Sequence, residues 1–156
     1  YMKVRTDGDM VSLVRPDLSH IPSTAVVTEA LLKLYIYGSG GHPMTLYAHQ
    51  VNRPWDVNEA NWTKATASTY WAAPGCQDSP ADYEATPAAS VEVSQAGVWC
   101  TLDLTDLAQQ WVADPGSNHG VVLKGGGDVA TQYTFTTSQY WNATQRPVFE
   151  ISYYVP

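Results

Sequence analysis

The sequence predicts an all-β fold: a jelly-roll-like antiparallel β-sandwich with one short capping α-helix at about 104–113. Three observations carry this expectation. Several segments alternate apolar and polar residues with the period of a half-buried strand. Gly- and Pro-rich turns separate them. The composition is that of a β protein: 10 Tyr and 6 Trp among 156 residues, with only 15% charged, against a usual charged share of roughly 25%.

Along the chain, the first strand candidate is Met10–Arg15. Pro16 follows and has no backbone N–H, so that strand should end there or turn its donor side outward. In Ala30–Tyr37, Ala30, Leu32, Leu34 and Ile36 share one face, while Leu31, Lys33, Tyr35 and Tyr37 share the other. Met44–Val51 is the next candidate. In the segment from Val98 to Leu104, Val98, Cys100, Leu102 and Leu104 alternate with Trp99, Thr101 and Asp103. Thr105–Asp114 breaks the period: Leu104, Leu107, Ala108, Trp111 and Val112 fall at helical spacing. Thr105 is placed to cap this helix, Asp106 suits its positive end, and Pro115-Gly116 stop it. Trp111 reads as a plug of the core. Gly120–Lys124 and Tyr133–Thr137 follow, joined through Gly125-Gly126-Gly127-Asp128, which reads as a flexible hairpin. In Val148–Val155, Phe149, Ile151, Tyr153 and Val155 share one face. The stretch from Ala72 to Ser90 reads as a long loop inside a single domain spanning 1–156. A loop of that length needs a reason, structural or functional.

Charge and cysteines limit the function classes. Eight basic against 15 acidic residues give a net charge of −7. This argues against nucleic acid and against docking to anionic lipid. No run reaches the roughly 20 apolar residues of a membrane span. Cys76 and Cys100 would close a loop of about two dozen residues, and a disulfide between them would contribute roughly 3–4 kcal/mol. Asn61-Trp62-Thr63 and Asn142-Ala143-Thr144 are N-glycosylation sequons. Disulfide and sequons together predict an extracellular or cell-surface setting.

Catalytic patterns are absent. His20, His42, His49 and His119 are scattered, and no Gly-x-Ser-x-Gly elbow occurs. Asp56, Glu59, Asp82 and Glu84 are the only loop carboxylates beside aromatics, and sequence does not set them opposite one another. The expectation is a non-enzyme with no cofactor. Asp7-Gly8-Asp9 and Gly127-Asp128 are short acidic turns that would at most suit a structural calcium, and zinc-ligand spacing is missing. The surplus of loop aromatics makes Trp71, Tyr83, Tyr140 and Trp141 candidates for carbohydrate binding.

Several phrases, in order, carry a resemblance. They are Leu13-Val14-Arg15-Pro16-Asp17-Leu18, Val27-Thr28-Glu29-Ala30-Leu31-Leu32-Lys33-Leu34-Tyr35 and Trp55-Asp56-Val57-Asn58-Glu59-Ala60-Asn61-Trp62. Trp71-Ala72-Ala73-Pro74-Gly75-Cys76, Asp103-Leu104-Thr105-Asp106-Leu107-Ala108-Gln109-Gln110-Trp111-Val112, Asn118-His119-Gly120-Val121-Val122-Leu123-Lys124 and Arg146-Pro147 complete them. From about Lys3 to Tyr154 the chain resembles the DNRLRE-type extracellular β-sandwich domain, which is related to carbohydrate-binding modules of polysaccharide lyases and disaggregatases. The resemblance implies a surface location and a structural or accessory role rather than catalysis. It departs at Arg15-Pro16-Asp17-Leu18, where the family usually has Arg-Phe-Asp-Leu. It departs also before Lys3–Val4, where the family usually has a further strand. A sandwich lacking that strand has an unpaired edge and an exposed groove. The first functional expectation is therefore a structural or adhesive surface subunit completed by a strand from a neighbouring copy, and so able to build a filament. The alternative is a carbohydrate-binding module.

Overall fold

A computed structural model describes every residue from Tyr1 to Pro156. Nine strands form two antiparallel sheets. They are β1 (Met2–Arg5), β2 (Ser12–Val14), β3 (Val26–Ser39), β4 (Met44–Gln50), β5 (Ala89–Val93), β6 (Trp99–Asp103), β7 (Val121–Gly126), β8 (Gln132–Phe135) and β9 (Val148–Tyr154). One helix, α1 (Thr105–Ala113), lies between β6 and β7. The first sheet runs β1-β8-β3-β6, with β9 also on β3; the second runs β2-β7-β4-β5. The pairs are nested: β4 with β5, β3 with β6, β2 with β7 and β1 with β8. This is a doubled-over ribbon wrapped into two sheets, the jelly-roll order. β1 and β5 are the strands that alternation alone missed. Each is short, and each has an inner face of only two or three apolar residues.

The main core lies between the sheets. β3 contributes Ala30, Leu32, Leu34 and Ile36, all buried, as its alternation predicts. Opposite them stand Met44, Leu46, Ala48, Val121 and Leu123 of the second sheet. The helix closes the core with Leu107, Ala108, Trp111 and Val112, the four positions expected from its 3.6-residue period. Thr105 is not its side-chain cap. The Thr105 hydroxyl instead accepts the Ala30 N–H and donates to the Asp103 carboxylate, so it ties the helix start to β3. That hydroxyl, with the Thr105 N–H, holds the Asp103 carboxyl below its ordinary pKa.

A second cluster of Val51, Trp55, Ala65, Trp71, Cys76 and Val122 sits on the outer side of the second sheet. The segment between β4 and β5 folds over that sheet as a cover. It explains why β7 reads Val121-Val122-Leu123 without alternation: Val121 and Leu123 face the main core, and Val122 faces the cover. Asp82 organises this cover. It is fully buried. Its carboxylate accepts the N–H groups of Ala72, Ala73 and Asp78 and pairs with Arg53 at 3.0 Å. Lys124 packs over the Tyr83 ring at 4.3 Å and donates to the Cys76 carbonyl.

The structure corrects two expectations. Cys76 and Cys100 form no disulfide; both are free and buried. Cys100 points from β6 into the main core beside Leu34, whereas Cys76 belongs to the cover's cluster. The cover is held by Asp82 instead of a covalent bridge. Burial pushes both thiols up to about 12, so neither is a nucleophile at neutral pH. The glycine run is not a hairpin either. Gly125 and Gly126 belong to β7, and the chain then crosses to the other sheet. A Cβ at Gly125 would lie 2.6 Å from the Met44 sulfur and 2.8 Å from the Arg5 carbonyl oxygen, so β1 packs against bare backbone there.

Three outcomes follow from these contacts. Gly125→Ala should destabilise the fold by about 1–3 kcal/mol in denaturant titration, because the Arg5 backbone cannot rotate away. Asp82→Ala should cost about 3 kcal/mol or more, since it strands Arg53 and three N–H groups. Alkylation without reductant should leave the native chain unmodified and give two adducts once it is unfolded, read by intact mass.

Candidate functional site

A concavity lies at an open edge of the first sheet. β9 pairs with β3 and with no other strand. The direction of its remaining hydrogen-bonding groups follows from β3. Ala30 turns both backbone groups away from β9, donating to the Thr105 hydroxyl at 3.0 Å and accepting from the Leu104 N–H at 2.8 Å. Antiparallel residues alternate in the side to which they bond. Glu29, Leu31 and Lys33 therefore bond Ser152, Glu150 and Val148, their partners in register. Phe149 and Ile151 turn their N–H and C=O groups to the open side.

Beside that edge runs an apolar groove of about 770 Å³. Met2, Leu32, Trp111 and Phe149 line its inner side, and the segment from Val14 to Leu18 forms the far wall. That wall leaves the sheet after β2, two residues before Pro16, as the missing donor requires. It is fixed from outside: Asn118 donates to the Pro16 carbonyl at 2.9 Å, and Arg15 donates to the Trp55 carbonyl at 3.1 Å while lying over the Trp55 ring. Trp111 plugs the core at 1% exposure, yet its indole N–H has no partner. A buried indole donor normally has one.

β8 and β9 follow one another along the same side of β3, as the Thr136 N–H bond to the Tyr35 carbonyl shows. β1 lies beyond β8 and runs in the direction of β3. The line of β1, continued backward from Met2, passes beside β9 and antiparallel to it.

The four aromatics picked out by sequence divide into two pairs. Trp71 is buried, and its indole donates to the Asn61 carbonyl at 2.9 Å. Tyr83 is packed between Lys124 and the His49 ring. Both belong to the cover, where Trp71 is enclosed and Tyr83 is partly buried. Tyr140 and Trp141 do come together, at 5.7 Å between ring centres. They join Tyr1 and Tyr37, which sequence reasoning did not select. The available signal was Tyr35 and Tyr37, two aromatics on the polar face of an otherwise well-patterned strand. The neighbouring Tyr37 hydroxyl pushes the Tyr1 phenol up to about 12.

The remaining candidates have local partners. Asn61 and Asn142 each use the side-chain oxygen to accept the N–H and hydroxyl of the threonine two residues on. Both sequons are thus turn caps of the same design. Asp56 accepts the Asn58 N–H, Glu59 the Ala67 N–H, and Glu84 the Asn52 amide. With Asp82 in the cover, each of these four carboxylates bonds groups of the surrounding loops. His49 bonds the Glu84 carbonyl, and burial lowers its pKa, as it does for His119. Asp7 pairs with Arg5 at 3.0 Å. No three metal-ligating side chains converge, and no helix is long and apolar enough to cross a membrane.

A family model described as the disaggregatase related repeat domain matches residues 1–151. No curated protein matches the chain. The match spans both sheets, the cover and the open edge, and the chain belongs to the disaggregatase-related repeat domain family.

Proposed function

We propose that this is a non-catalytic structural or adhesive domain of the cell surface, joined to neighbouring copies by a strand laid along β9. The observation that carries the reading is the juxtaposition of an unpaired strand edge with an apolar groove. Phe149 and Ile151 present backbone donors and acceptors on one side of that groove, and the Trp111 N–H has no partner at its inner side. An extended segment with alternating apolar residues answers all three needs. Its backbone pairs with β9, its apolar side chains fill the groove, and one carbonyl accepts from Trp111. An open edge left bare would be an aggregation hazard, which natural sheets avoid by pairing or covering it. Membership of a repeat family supports a neighbour as the source of that segment. The likeness to DNRLRE-type domains, the sequons and the low charge support an extracellular setting. Repeated from copy to copy, such a heterologous contact builds a filament or appendage.

The test adds a short alternating Thr-Val extension ahead of Tyr1, in line with β1. Amide exchange at Phe149 and Ile151 should slow by about tenfold or more, since a bonded amide exchanges only through opening. Exchange at Glu150 and Ser152, already bonded to β3, should change little. Melting should rise by on the order of 5 °C. The unextended chain should self-associate with concentration, and the extension should suppress this. Unchanged exchange at Phe149 and Ile151 removes the strand-acceptor role; a parent chain that stays monomeric at every concentration removes the assembly of copies.

A further inference from the structure

The fold brings redox-active side chains together at its surface, and they are not the cysteines. Cys76 and Cys100 are buried in different clusters. Tyr1 and Tyr37 are 60% and 50% exposed. Their rings meet at 4.6 Å between centres, with planes inclined by only 30°. Strand pairing sets up this contact. Phe135 of β8 is in register with Met2 of β1 on one side and with Ile36 of β3 on the other. Met2, Phe135 and Ile36 turn to the core. The residues next to them, Tyr1 and Tyr37, therefore project from the outer face, and their rings lean together across β8. Tyr140 packs against both from the loop before β9, at 5.8 Å and 6.0 Å and at steeper inclinations of 52° and 62°. Tyrosine meets tyrosine nowhere else. Tyr70, Tyr153 and Tyr154 are also exposed, but none of them touches another phenol ring.

We propose that Tyr1 and Tyr37 form a modification site, at which a one-electron oxidant of the peroxidase class, driven by hydrogen peroxide, joins the two rings through their ortho carbons as dityrosine. Each phenol gives up one electron together with its O–H proton. It becomes a phenoxyl radical with unpaired spin at the carbons beside the oxygen-bearing one. The two radicals pair to form a single C–C bond. The hydrogen on each joined carbon then leaves as a proton, and each oxygen takes one up, so two phenols are restored. The protein loses two hydrogens in all, and one hydrogen peroxide is reduced to two waters.

Geometry selects this pair. Coupling of two radicals is a bimolecular event, and rings held in contact make it intramolecular. The small inclination sets the Tyr1 and Tyr37 rings side by side, and their exposure leaves room for the rotation that brings the ortho carbons together. The hydroxyls are neighbours as well: that of Tyr37 pushes the Tyr1 phenol up to about 12, so at neutral pH the Tyr1 proton is still in place to leave with the electron. Tyr140 is presented to both rings at an angle and is held from its backbone. Its carbonyl accepts the Arg146 guanidinium at 2.7 Å, and its N–H donates to the Thr137 carbonyl at 3.0 Å. It backs the pair without competing for it. The link has a structural use. β1 is four residues long and pairs with β8 alone. A bond across β8 ties it to β3 and restricts the unfolded chain as a disulfide does. Oxidising conditions outside the cell suit such chemistry.

The experiment treats the dilute native chain with a haem peroxidase and hydrogen peroxide, and reads intact mass, dityrosine fluorescence and cross-linked peptides. The monomer should lose two hydrogens, gain the blue emission of dityrosine and yield one linked peptide pair, containing Tyr1 and Tyr37. The yield should not change on about tenfold dilution, as an intramolecular step requires. Tyr1→Phe and Tyr37→Phe should each abolish the product. Both keep the ring and lose only an exposed hydroxyl, so melting should be unchanged. Tyr140→Phe and Tyr70→Phe should leave the product in place. No loss of two hydrogens, a link that involves other tyrosines, a link only between copies, a yield that falls with dilution, or a product that survives Tyr37→Phe overturns the proposal. None of these readouts involves β9, so this site and the strand-acceptor edge stand or fall separately.

Discussion

One strand underlies the architecture. β3 is 14 residues long and pairs with β6, β8 and β9. Its inward residues Ala30, Leu32, Leu34 and Ile36 are the strictest alternation in the sequence, and a slip of one position would turn all four to solvent. Its bulges, between Val27 and Glu29 and between Ile36 and Gly38, let one strand serve successive partners with different twist. Because β8 takes only the last part of β3, β9 can take the first. The far edge of β8 is paired with β1, whereas β9 pairs with β3 alone. Tyr37, outward on β3, belongs to the exposed aromatic cluster with Tyr1, Tyr140 and Trp141. Both surfaces of interest thus adjoin β3.

The cover depends on a different kind of interaction. A segment that crosses a sheet without strand pairing of its own has backbone groups to satisfy. Asp82 does this by gathering N–H groups from both sides of the Cys76 turn while Arg53 balances its charge. A disulfide between Cys76 and Cys100 would have acted by restricting the unfolded chain. A buried carboxylate does so through directional bonds in the folded state, and a single substitution can therefore undo it.

The sandwich and its helix were legible because their signals are local. The β3 face, the β9 face and the helical spacing of Leu107, Ala108, Trp111 and Val112 each sit within about ten residues. β1 and β5 are too short to show a period. Nothing in the glycine run separates a flexible turn from a strand that must be bare because Arg5 backbone approaches it. The cysteine pairing failed for a geometric reason. Spacing along the chain says how large a loop would be, but the two thiols occupy different clusters on opposite faces of the second sheet. The aromatic candidates were half legible for the same reason. Trp71 and Tyr83 look like loop residues in sequence, and only the folding of that loop over the sheet buries Trp71 and partly covers Tyr83. Tyr1 and Tyr37 joined Tyr140 and Trp141 through strand pairing, which residue type alone does not reveal. The unpartnered Trp111 N–H depends on which groups the fold brings to the groove, and no local pattern states that.

The two apolar clusters have a consequence for how the molecule opens. The larger lies between the sheets, and its buried residues come from seven of the nine strands and the helix. The smaller is six residues under the cover and touches the sandwich through Val51 and Val122. It hinges on the Asp82 side chain and the groups that it bonds. The cover is therefore a separate cooperative unit of low opening free energy, able to unlatch and reclose while both sheets remain intact. Proteases should find their first cut there, between β4 and β5. A chain nicked at that position would keep its sandwich, its open edge and its aromatic cluster.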